Sequence, residues 1–92
     1  MFNSFVIHLI YADDCNDCKD MRDTIIQAIN NCSFKDGCII KEINSDTDEA
    51  VNLAIDNDIG DLPACVIGKF SFCGKNGYSY QSILDAIEKS VE

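Results

Sequence analysis

Cys15-Asn16-Asp17-Cys18 is the segment of this chain best suited to chemistry. At that spacing one turn of helix brings two thiols together, and such a pair can close to a disulfide or share a metal ion. The spacing alone is also half of a zinc site, so the surroundings must decide. Here an apolar run, Phe5–Tyr11, precedes the pair and a helical pattern follows it. Cys15 is thereby set at the first turn of a helix, where unpaired backbone N–H groups and the helix dipole favour an anion. Thiolate is the nucleophile of disulfide exchange. Cys15 is read as that nucleophile, and Cys18, one turn on and facing inward, as the thiol that resolves a mixed disulfide.

The elements that must hold this pair follow from periodicity. Phe5–Tyr11 is short, β-branched and aromatic, as a buried strand requires. Cys18, Met21, Ile25, Ile29 and Cys32 recur at helical spacing, so a helix is expected from Cys15 to Asn31, with Asp13 and Asp14 offering N-cap side chains. A loop over Phe34 to Gly37 leads to a second strand, Cys38 to Ile43. A polar turn follows, in which Asp46 and Glu49 resemble a capping signal. A second helix from Glu49 to about Asp56 is expected to bury Val51, Ala54 and Ile55. Leu62 to Ile67 and Phe70 to Cys73 read as a hairpin turning at Gly68-Lys69. A last helix, Ser79 to about Val91, carries the stripe Tyr80, Ile83, Leu84, Ile87 and Val91. The predicted order is βαβαββα: an α/β fold whose four-stranded mixed sheet is flanked by three helices, the first two strands parallel.

The chain has one proline, Pro63, after Leu62 and at the start of the predicted third strand. Proline cannot donate to a strand ladder and belongs at a strand's start or edge. An X-Pro bond is also where a cis peptide costs least.

With these segments in view, the sequence resembles the thioredoxin-like superfamily in its compact, glutaredoxin-like form. The matching stretches are Cys15-Asn16-Asp17-Cys18-Lys19, Lys41-Glu42-Ile43-Asn44-Ser45-Asp46 and Ile59-Gly60-Asp61-Leu62-Pro63-Ala64. The resemblance implies thiol–disulfide exchange, a cis Pro63 against the dithiol, and a Leu62 backbone that pairs with bound substrate. Tyr11 stands where it can line the substrate groove in place of the aromatic residue that such proteins carry beside the motif. The chain departs from the pattern elsewhere. Asn16-Asp17 replaces Gly-Pro, the first strand has no evident buried carboxylate, and the glycine pair of glutathione-binding members is split as Gly74 and Gly77. A rim of Asp13, Asp14 and Asp17 opposes anionic glutathione.

Those carboxylates also disfavour a thiolate at Cys15, with Lys19 and Arg22 as partial offsets. Asp14, Asp17 and Lys19 are thus expected to modulate the couple, and the expectation is a reducing one. No cofactor beyond the dithiol is expected. Protein or small-molecule disulfides are the expected substrates, with electrons returning from a reductase or a small thiol. Two other functions fit the same residues: a non-catalytic binding module of the same fold, and a thiolate metal-binding protein.

Composition narrows the setting. Ninety-two residues, 47% of them hydrophobic, fit a single domain over residues 1–92. A net charge of −9 opposes phosphate backbones and anionic membranes, so neither is an expected partner. The apolar run within Met1 to Ala12 lacks the basic flank and cleavage site of a signal peptide, and the chain reads as a cytoplasmic monomer. In that compartment Cys32, Cys38, Cys65 and Cys73 are expected to be free core fillers. A two-residue turn sets Cys73 opposite Ala64, not Cys65, which argues against a Cys65–Cys73 bridge. A Cys32–Cys38 bridge is sterically conceivable. His8, mid-strand in an apolar run, reads as a structural histidine.

Overall fold

The computed structural model describes residues 4–33 and 35–91; the start of the Met1–Ala12 run and Phe34 in the expected loop lie outside the described residues. The element order is β1 (Phe5–Tyr11), α1 (Asn16–Asn31), a 3-10 turn (Lys35–Gly37), β2 (Cys38–Asn44), α2 (Asp48–Asp56), β3 (Ala64–Ile67), β4 (Phe70–Cys73) and α3 (Tyr80–Val91). This is the βαβαββα order expected from periodicity. The strands lie in the order β2-β1-β3-β4, with β1 parallel to β2 and antiparallel to β3.

Alternation along the strands divides the interior in two. Ile7 and Leu9 of β1 join Cys65 and Ile67 of β3 on one face, where Met21, Ile25 and Ala28 of α1 and Ile83 and Ile87 of α3 cover them. Ile10, Ile43 and Ala64 face the other way, under Ala50 of α2 and the half-buried Leu53, Ile59 and Leu62. The first face carries two helices and most of the buried volume. The second carries one short helix.

That imbalance explains where α2 departs from expectation. Val51 and Ile55, expected inside, are 48% and 71% exposed, and Ala54 is only half-buried. Ala50 is the residue that α2 buries. Apolar spacing marked a helix but not which of its apolar residues would find a partner. The cap also differs: Thr47, not Asp46, is the N-cap, and its hydroxyl accepts the Ala50 N–H at 3.2 Å. At β3–β4 the register pairs Ala64 with Cys73 and Cys65 with Phe72, as the two-residue turn requires. Gly68 supplies the left-handed first position of that turn, with φ of 60°. Strand β3 begins at Ala64, so Leu62 and Pro63 lead into it and are not part of its ladder.

Candidate functional site

Cys15 and Cys18 are joined as a disulfide, their Cα atoms 5.2 Å apart. Their setting follows from the way β1 hands over to α1. The strand ends at Tyr11, and Asp14 turns the chain in the left-handed region with φ of 58°, which aspartate tolerates better than most residues. The N-cap then falls on Cys15, which has extended backbone angles. Asp13 and Asp14, expected as caps, lie before it, because the turn uses them up: Asp13 instead accepts from Asn44 Nδ2 at 3.4 Å. The Cys15 sulfur accepts the Cys18 N–H at 3.1 Å, the bond an N-cap side chain makes. Cys15 is half-buried and Cys18 only 3% exposed. The two sulfurs therefore differ in access in the sense expected of an attacking and a resolving thiol.

Two hollows flank the first turn of α1. One, of about 350 Å³, is lined by Tyr11, both cysteines, Asp14, Lys19 and Glu42, among others. Tyr11, Asp14 and Lys19 therefore gather beside the dithiol. Arg22 also borders this hollow, with its guanidinium 3.1 Å from Glu42, so part of the positive charge read as an offset is engaged by β2. Glu42 was not among the expected site residues. It stands next to Leu9 in the parallel register, a placement visible only once β1 and β2 are paired.

The other hollow, about 510 Å³, is lined by Asp17, Asp61, Leu62, Cys73 and the loop Gly74–Gly77. It brings Asp17, between the two cysteines in sequence, to the same wall as Leu62. The Leu62–Pro63 peptide bond is cis. Pro63 is buried, its carbonyl accepts the Gly74 N–H at 2.8 Å, and the adjoining pair Ile10–Ala64 sets it at the end of β1 from which the chain runs to Cys15.

Leu62 also borders a shallow apolar groove of about 540 Å³ with Ile10, Ala54, Ile55 and Ile59. Sequence periodicity hid this surface by assigning Ile55 to the core.

The remaining cysteines are free. Cys65 is fully buried, and burial, with Cys73 nearby, pushes its thiol up to about 12. Among the described residues no three His, Cys, Asp or Glu side chains converge to hold a metal ion. Among them, too, no helix is long and apolar enough to cross a membrane.

No protein-family model matches the chain, and no curated protein does. Solved structures do. A mutant thioredoxin from Halobacterium salinarum superposes with a TM-score of 0.65 at 19% identity, over 98% of this chain and 77% of that one. A chain described only as the structure of a malarial protein gives 0.59 at 15% identity, over 98% of this chain and all of that one. A disulfide at the N-terminus of α1 fits a redox role, and the fold that carries it is thioredoxin-like.

Proposed function

We propose that this chain is a thiol–disulfide oxidoreductase. The observation that carries the reading is the Cys15–Cys18 disulfide at the N-cap of α1, its first sulfur partly open and its second buried. In the reduced protein, the Cys15 thiolate attacks a substrate disulfide, forms a mixed disulfide and releases one substrate thiol. Cys18 then attacks the Cys15 sulfur, closes the intramolecular disulfide and releases the second thiol. The substrate leaves with two electrons and two protons that the dithiol has given up. Backbone groups of Leu62 and the buried Pro63 position the partner chain, and Tyr11 forms one wall of the groove.

Asp14, over the hollow it shares with Lys19, and Asp17, on the other side of the first turn, disfavour the Cys15 thiolate, and Lys19 opposes them. On this reading the couple runs as a reductant, on protein or small-molecule disulfides, and is returned to the dithiol by a reductase or a small thiol. It works as a cytoplasmic monomer of one domain and needs no cofactor beyond its own sulfurs.

Insulin reduction tests the proposal. The wild type should accelerate precipitation of the insulin B chain well above the buffer thiol, and Cys15→Ser should return the rate to that background. A wild type no faster than background sinks the reading.

A second reading, a binding module without turnover, is favoured by the groove beside Leu62 with its exposed Ile55. It requires that a partner captured by the wild type be captured equally by the Cys15→Ser/Cys18→Ser protein.

A further inference from the structure

Asp61 immediately precedes the cis Leu62–Pro63 pair, and its side chain turns back on it. Asp61 Oδ1 accepts the Leu62 N–H at 2.9 Å. The other oxygen, Oδ2, stands over Gly74, where an added Cβ would come within 3.2 Å of it. That glycine leaves room for the carboxylate between the approach to β3 and the end of β4. Asp61 and Leu62 together border both the apolar groove beside α2 and the hollow that holds Asp17 and Lys75. A chain that lies along Leu62 must therefore pass Asp61. The residue is exposed, and among the described residues no lysine or arginine forms an ion pair with it.

On the oxidoreductase reading the Leu62 backbone holds the partner, yet its donor is already occupied. A partner carbonyl reaches the Leu62 N–H only after the carboxylate leaves. A neutral partner then replaces a charged acceptor by an uncharged one, and hydrogen bonds to charged groups are the stronger kind. A partner that brings a cation offers the displaced carboxylate an ion pair in the same step. Asp17, on the wall of the same hollow, adds to that attraction, and Lys75 offsets one of the two charges.

We propose that Asp61 is a specificity-determining residue of the dithiol site. It closes the Leu62 N–H in the free protein and yields it to peptide disulfides with a lysine or arginine beside the cysteine. The inference rests on the oxidoreductase reading and names its substrate class. The exchange is the same whichever residue flanks the disulfide: the partner gains the two electrons and two protons of Cys15 and Cys18.

The test uses three blocked tripeptide disulfides that differ only in the residue before cysteine, which is lysine, glutamine or glutamate. Each is reduced by the desalted dithiol form of the chain at pH 7 and low salt. Each rate is divided by that of dithiothreitol on the same peptide, which removes intrinsic reactivity. The wild type should prefer lysine to glutamine by about fivefold, the scale of an exposed ion pair, and should act slowest on glutamate. Asp61→Ala opens the Leu62 N–H, so the glutamine peptide should react about threefold faster and the lysine preference should fall below about twofold. Asp61→Asn keeps an acceptor without the charge; it should lose the lysine preference and gain less on glutamine. The gain on glutamine is a readout that a generally acidic surface would not give. Equal wild-type rates on lysine and glutamine overturn the proposal and leave the oxidoreductase reading standing. So does a lysine preference, or a glutamine rate, that Asp61→Ala leaves unchanged. A chain that reduces none of the three peptides overturns both.

Discussion

The Cys15 sulfur lies 3.1 Å from the Cys18 backbone nitrogen, so the atom that caps α1 is also the proposed nucleophile. This double duty separates two substitutions that kinetics alone cannot. Both Cys15→Ser and Cys15→Ala should remove disulfide reduction. Serine keeps an acceptor at the cap and alanine does not. Under reducing conditions, Cys15→Ala should be about 1 kcal/mol less stable than Cys15→Ser in urea unfolding. Equal midpoints would mean that the sulfur contributes nothing as a cap.

The two faces of the sheet make a second contrast. Ile25 of α1 is wholly buried against β1 and α3, whereas Ile55 of α2 is 71% exposed. Ile25→Ala should cost about 3 kcal/mol, from lost burial and the cavity left behind. Ile55→Ser should change stability by less than about 0.5 kcal/mol. Denaturant titration of the two variants checks both figures. A large loss at Ile55 would mean that α2 is packed more deeply than its exposure shows.

These two cases also show what the sequence could and could not reveal. The strands, the α1 stripe and the hairpin turn were legible because each depends on local periodicity or on a glycine at a left-handed position. The dithiol was legible because Cys15 follows a strand and opens a helix. Three features needed tertiary structure. Val51 and Ile55 have the spacing of a buried face, but nothing in one sequence shows that the second face of the sheet has only a short helix to offer. Glu42 reaches the hollow beside Cys18 through a parallel register that no motif encodes. The caps fell on Cys15 and Thr47 because the residues before them were drawn into turns, a competition among neighbouring polar side chains that composition does not rank.

Cys65 makes stability depend on alkaline pH. Its thiol ionises near 9.0 when unperturbed and is pushed up to about 12 by burial in the folded chain, with Cys73 adding to the shift. Below pH 9 both states hold the proton and nothing is gained or lost. Above it the unfolded chain releases its proton first, so the folded state loses stability until the buried thiol also titrates. The advantage of wild type over Cys65→Ala should shrink by roughly 1 kcal/mol between pH 9 and 10. Urea unfolding under reducing conditions at each pH measures it. A constant difference across that interval would show that Cys65 is not desolvated.

Gly77 links the fold to the hollow beside Leu62. Its N–H donates to the Gly74 carbonyl at 3.1 Å, closing the loop that forms one wall of that hollow. A Cβ at this position would collide with the Cys73 carbonyl, which is backbone at the end of β4 and cannot swing away as a side chain could. Relief must come from moving the loop, and with it the wall that faces Leu62 and Asp17. Gly77→Ala should therefore cost about 1–3 kcal/mol of stability, the usual range for overpacking. It should also slow insulin reduction under conditions where the variant is still fully folded, because the partner's path past Leu62 is reshaped. A lowered urea midpoint with an unchanged rate would assign the loop to folding alone and move the substrate path to the hollow beside Tyr11.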